Sequence, residues 1–387
     1  LRAGSTSRPR SPERGGRAET AARLTRRDHA LTAGTRRPAD GAGATMRRAA
    51  RAADPASIQR RERTMKRTLT LLAATTALAA PMGAAAQTDC GEVSITEMNW
   101  ASAQVVTAVS TFLMQQGYGC EVSVVPSDTT PAVASLAENG EPDIVTELWL
   151  NSTGEAYQKL EDEGRVERLG EVLDPGGVEG WWIPAYLAEE HPELTTLEGI
   201  KSNPELLGGR FNNCPDGWGC RIVNDNLIPA TGLEEAGFEI FNHGSGETLA
   251  TSLASAYENE EPWIGYYWGP TALLGEYDMV KVDLGEVKPE IHARNQNPDT
   301  DDPGVSDFPA APVLTSVTTD FADREPAVAE FMSNVTFDVD TMNALLAWKN
   351  ENSASADETA AYFIQNHADV WSEWLSDEAR SNLSGLL

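Results

Sequence analysis

Beyond Cys90 the chain alternates short apolar runs with segments whose apolar positions recur at helical spacing. Residues 92–98 and 121–125 alternate apolar and polar positions as half-buried strands do, and residues 103–116 between them carry a helical repeat. Residues 144–149 read as a further strand, followed by a helix ending in Glu161-Asp162-Glu163-Gly164. Helical pieces over 195–206, a short strand at 210–212, a helix over 247–258 and a strand over 263–268 continue the alternation. After a loop at 297–304, a return strand over 312–317 precedes helices over 326–333, 341–350, 356–367 and 370–383. Strands repeatedly followed by helices predict an α/β protein with mostly parallel sheets flanked by helices. The patterned region is too long for one ordinary core, so two lobes are expected. A first crossover near Gly180-Trp181-Trp182-Ile183-Pro184 gives a discontinuous lobe 1 from residues 88–182 and 312–387, and a lobe 2 from residues 183–311.

Residues 1–64 carry no such pattern. They are rich in Arg, Ala, Gly, Ser and Thr, are almost free of large apolar residues, and cannot bury a core. At Met65-Lys66-Arg67 the composition changes to an apolar run ending at Ala80, followed by Pro81 and the small-residue site Ala84-Ala85-Ala86. This predicts a secretory signal peptide over 65–86, cleaved near Ala86, and an exported, periplasmic protein. Residues 1–64 are accordingly expected to be a basic leader upstream of the native start. Arginine pairs at Arg47-Arg48 and Arg60-Arg61 do not directly open the apolar run, as a twin-arginine leader would require.

Removing that leader changes the charge. From Gln87 onward 12 Lys and Arg face 53 Asp and Glu, a net charge of −41 against −29 for the whole chain. Such a surface disfavours nucleic acid and anionic membranes as partners. All four cysteines, Cys90, Cys120, Cys214 and Cys220, lie in the exported part, where oxidised pairs are expected. Cys90 and Cys120 each precede a predicted strand of one βαβ unit and can bridge if those strands are neighbours, which leaves Cys214 with Cys220. The spacing does not suit zinc knuckles. The acidic stretch Asp299-Thr300-Asp301-Asp302 lacks the ligand spacing and glycine of an EF-hand. His191, His243, His292 and His367 are scattered, and no nucleophile elbow, phosphate-loop lysine or His-Glu-x-x-His is present, so neither an enzyme nor a cofactor is expected.

The candidate chemistry lies in aromatics. Trp100, Trp149 and Trp268 each fall at the carboxyl end of a predicted strand, the edge where open α/β sheets bind ligands. Trp218 sits in the loop Cys214-Pro215-Asp216-Gly217-Trp218-Gly219-Cys220, and Trp181 sits at the proposed crossover. Two readings of that loop stand side by side: a disulfide-stapled surface turn whose Trp merely packs, or one wall of an aromatic box for a methylated cation. Each desolvated ring contributes ~0.5–2 kcal/mol, against about 8 for micromolar binding, so a box also needs an anion site or methyl burial. Trp182, Trp263, Trp348, Trp371 and Trp374 are read as core.

With Cys-Pro-x-Gly-Trp-Gly-Cys at 214–220, Tyr267-Trp268-Gly269-Pro270, Asn99-Trp100 and Leu148-Trp149, the sequence resembles the periplasmic substrate-binding proteins of ABC importers for glycine betaine, proline betaine and choline. The resemblance implies a type II two-lobed binding protein with ligand in the interlobe cleft. It further implies a monomer serving a membrane permease and an ATPase. By the same resemblance Trp149, Trp218 and Trp268 enclose a trimethylammonium group, the amides of Gly219 and Cys220 hold an anionic end, and Trp100 and Trp181 complete the box. Thr153 stands where betaine binders carry a carboxylate-binding His, and Ser102 where choline binders carry an Asp. Glu147-Leu148-Trp149 and Gly265-Tyr266-Tyr267-Trp268 are similar to trimethylamine N-oxide binders, and strand alternation is expected to turn Glu147 toward the cage with Trp149. A glycan hydrolase with Trp-lined subsites and a ligand-presenting sensor remain the alternatives.

Overall fold

A computed structural model describes residues 90–387; the expected leader and signal peptide lie outside the described residues. In chain order the strands are β1 (Glu92–Met98), β2 (Glu121–Ser127), β3 (Ile144–Trp149), β4 (Val166–Glu171), β5 (Leu173–Asp174), β6 (Val178–Pro184), β7 (Arg210–Asn213), β8 (Glu239–Asn242), β9 (Gly265–Gly269), β10 (Met279–Lys281), β11 (Val313–Thr318) and β12 (Phe337–Asp338). One five-stranded sheet runs β2-β1-β3-β11-β4, a second runs β10-β6-β9-β7-β8, and β5 pairs with β12. The protein is therefore α/β and two-lobed, with helices flanking each sheet. In the first sheet β3 and β11 are buried along their whole length, and the helix Ala101–Gly117, with Val105, Val106, Val109 and Leu113 buried, packs on β1, β2 and β3.

The sheets are mixed rather than mostly parallel. β1 runs parallel to β2 and β3, and β7 to β8 and β9, but β11 opposes β3 and β4, and β6 opposes β9 and β10. The cause is the chain path: a strand that enters a lobe from the cleft must run against strands that lead out toward it. β6 belongs to the second sheet from Val178 onward, so the passage between sheets precedes Val178 rather than following Trp182 as expected. The expected helix over 370–383 is instead Ala368–Trp371, a 3-10 turn Ser372–Trp374 and Asp377–Asn382. Ser376 breaks it, because its side chain caps the last helix by accepting from the Ala379 amide.

Cys90 and Cys120 precede β1 and β2, whose registers begin Glu92 opposite Glu121, and they are bridged across a Cα separation of 4.5 Å. Cys214 and Cys220 are bridged as well, closing the loop between β7 and the helix Gly219–Thr231.

Candidate ligand site

The carboxyl ends of β1, β3, β7 and β9 all open on the cleft, and each delivers an indole there. Trp100 follows β1, Trp149 ends β3, Trp218 precedes the helix Gly219–Thr231, and Trp268 lies on β9. Together with Thr129, Ser152, Glu179, Gly219, Cys220 and Tyr266 they wall a cavity of about 30 Å³. Trp218 stands edge-on to Trp100 with ring centroids 5.3 Å apart and to Trp268 at 4.9 Å, the offset geometry indoles prefer. Trp100, Trp149 and the turn after β3 come from lobe 1; Trp218, Trp268, Tyr266 and Glu179 come from lobe 2.

Polar bonds cross the cleft around these rings. The Trp218 indole N–H donates to Asn99 Oδ1, the Thr130 amide to Gly217 O at 3.0 Å, and the Gly154 amide to Gln296 Oε1 at 2.9 Å. His292 donates from Nε2 to Asn151 O at 2.7 Å, and burial holds its imidazole below the usual range, hence neutral. Gly219 permits the closest approach. A Cβ there would lie 1.8 Å from Ser152 O, so only a glycine lets the disulfide loop meet the turn after β3. Gly219 and Cys220 open a 13-residue helix with no acid in its first turn, leaving amides that carry no intrahelical acceptor beside the cavity.

Two buried carboxyls flank this space. Glu179, on β6, accepts from Tyr266 Oη, from Ser152 Oγ at 3.3 Å and from Asn151 Nδ2; burial nevertheless pushes its pKa up. Glu147 does not line the cavity. Its Oε2 accepts from the Trp100 indole N–H at 2.6 Å and from Ser102 Oγ at 2.9 Å, so it sits behind Trp100 rather than facing the cavity with Trp149. The reason is a β-bulge: between the pairs Val145 with Ser316 and Leu148 with Leu314, Thr146 and Glu147 oppose Thr315 alone. Glu147 takes φ of +51°, and the alternation on which its facing was predicted is broken there.

Trp181 does not line this cavity. It shares a face of β6 with Glu179 but lies two cross-strand pairs farther from the cleft, fully buried, with its N–H on Asn224 Oδ1 at 3.0 Å and its ring 4.6 Å from Phe211. Thr153 is not there either: its hydroxyl donates to Leu150 O at 3.1 Å, and the neighbouring Ser152 lines the cavity instead. Conversely, Glu179, Tyr266, Ser152 and Thr129 were not anticipated. Glu179 had a legible signal, a lone acid in the otherwise apolar run 177–184, and Tyr266 lies two residues before Trp268 on one strand.

Residues 91–366 match the family model described as the substrate binding domain of ABC-type glycine betaine transport systems. No match to curated protein sequences reached significance. Among solved structures, the chain is similar to a glycine betaine/L-proline-binding protein (ProX) from Borrelia burgdorferi, at 17% identity and a TM-score of 0.62, covering 75% of this chain and 99% of that one. It is similar to a choline-binding protein of an ABC transporter in complex with choline, at 17% identity and a TM-score of 0.63, covering 77% and 99%. It is also similar to lactococcal OpuAC in its closed form with glycine betaine, at 19% identity and a TM-score of 0.59, covering 74% and 100%. At these identities the likeness establishes the fold.

Proposed function

Because the chain belongs to the family of substrate binding domains of ABC-type glycine betaine transport systems, we infer that it captures a small methylated amine of the glycine betaine or trimethylamine N-oxide class and delivers it to a membrane permease. The observation that carries this reading is a small cavity walled by four indoles from both lobes, with no Lys, Arg or His among the described residues that line it. Indole faces attract a cation that carries methyl groups, while the helix-start amides of Gly219 and Cys220 receive its oxide or carboxylate end. Size and charge favour the N-oxide. The cavity is small, about 30 Å³, which suits the five heavy atoms of the N-oxide better than the eight of glycine betaine. Glu179 in the wall opposes a second carboxylate but not an oxide. The expected site of action is the periplasm, and the expected partners are the permease and ATPase subunits.

Thermal shift and calorimetry with trimethylamine N-oxide, glycine betaine, choline, carnitine and dimethylsulfoniopropionate test the reading. Trimethylamine N-oxide is expected to raise the melting temperature most, with carnitine without effect. Stabilisation by none of them would overturn the methylated-amine reading, and stabilisation by carnitine equal to that of the N-oxide would overturn the size argument.

A further inference from the structure

Glu147 is costly to maintain where it is. It is fully buried, it occupies the left-handed region without being glycine, and among the described residues its Oε1 has no hydrogen-bond partner. Its one bonded oxygen is spent on the edge of a cage ring, through the 2.6 Å bond from Trp100, and on Ser102 at the start of the same helix. A carboxylate on an indole N–H pushes electron density into the ring, and its charge lies about one ring away from whatever occupies the far face. Both effects favour a cation there. We propose that Glu147 is a positioning residue that sets the cation affinity of the cage through Trp100, and that a methylated cation entering the cage drives a proton from Glu147 into solvent. The proposal rests on the methylated-amine reading of the cavity.

The surroundings of Glu147 leave it the group that answers to the ligand. The start of the helix Ala101–Gly117 presents Trp100 and Ser102, and β3 itself presents Trp149. β1 and β11 contribute Thr96 and Thr315, both engaged by Thr146. None of these carries a charge. Glu179, the other buried acid, belongs to β6 and is occupied by Tyr266, Ser152 and Asn151. Burial pushes Glu147 up to about 7, against the bonds from Trp100 and Ser102, so the acid is part-protonated at neutral pH in the empty protein.

Calorimetry of the mature protein with trimethylamine N-oxide and with glycine betaine, at pH 6, 7 and 8 in phosphate and in Tris, reads the proton directly. Affinity should rise roughly threefold to tenfold from pH 6 to pH 8, with a fraction of a proton released at pH 7. In Glu147→Gln, which keeps an acceptor for Trp100, the release and the pH dependence should vanish, and affinity at pH 8 should fall about tenfold with the tryptophan emission maximum unchanged. The neutral isostere tert-butanol should compete equally weakly with both proteins. Ser102→Ala, which removes one donor to the carboxylate, should move the pH profile upward and serves if Glu147→Gln does not fold. Binding to the wild type without proton release, or equal release by Glu147→Gln, overturns the proposal alone. Failure of the wild type to bind either amine overturns the ligand reading, and the proposal with it.

Discussion

Trp181 and Trp268 sit on paired strands of one sheet, yet their indoles meet different surroundings. The Trp268 ring faces the cavity, whereas both the ring and the N–H of Trp181 are consumed inside lobe 2 by Phe211 and Asn224. Trp268→Ala should therefore lower affinity for the proposed methylated amine by about 1–3 kcal/mol, since it removes a desolvated cation–π face and buried area. Trp181→Phe keeps the packing and loses one buried hydrogen bond, so it should cost about 1 kcal/mol of unfolding free energy and leave affinity within twofold. Urea melts and calorimetry on both variants separate the two roles, and a loss of affinity in Trp181→Phe equal to that in Trp268→Ala would place Trp181 back in the box. The two residues look alike in sequence. What divides them is depth along a strand, two cross-strand pairs nearer to or farther from the cleft, and that depth depends on a register no single sequence prints.

The element that joins chemistry to closure is the disulfide loop and the helix it starts. Its ring fixes Trp218, its Gly217 carbonyl takes the Thr130 amide across the cleft, and Gly219 lies against Ser152 O. Gly219→Ala must push that contact apart, so affinity should fall more than tenfold and scattering should show the liganded protein less compact than the liganded wild type. Wild-type affinity in that variant would mean that the bound state does not need the approach. Replacing Cys214 and Cys220 by Ser should weaken binding more than it lowers the melting temperature, because the loop closes only a few residues and contributes mainly order at the site. Most elements of this kind were legible: residues 144–149 are a strand as read, and the helices beginning at Pro326 and Ala356 end within a residue of their expected bounds. β6, β8 and β10 were not, because β8 and β10 are short and β6 carries Gly and Pro. The bulge at Glu147 escaped for a deeper reason: it arises from β11, 168 residues later in the chain, returning against β3 one residue short.

At the scale of the whole molecule two kinds of charge act on stability, and pH and salt tell them apart. From Gln87 onward the chain carries a net charge of −41, whose long-range repulsion weakens as carboxylates protonate and as salt screens it. Glu147 acts differently. Burial, the largest influence on it, raises it from an ordinary carboxyl value to about 7, so the folded state binds a proton that the unfolded chain releases. Stability from this group is fully present below the unfolded value near 4.5 and is lost as pH rises through about 7; Glu179, raised by burial too, acts in the same direction. Asp143 opposes them: burial raises it, but bonds from Arg324 and Ser94 outweigh that and hold it below the usual range, so its contribution is lost only as pH falls through that lowered value. Between pH 5.5 and 8 the buried pair and the surface repulsion therefore act together, and the ligand-free protein should melt at progressively lower temperature. Molar salt should recover the repulsive part but not the cost of ionising Glu147, about 2–3 kcal/mol, because no counter-ion reaches a fully buried carboxyl. Glu147→Gln should then remove most of the pH dependence that survives in molar salt. Melting curves of both proteins at pH 5.5, 6.5, 7.5 and 8, with and without 1 M NaCl, measure this, and a residual slope equally steep in the variant would assign it to Glu179 or another acid instead.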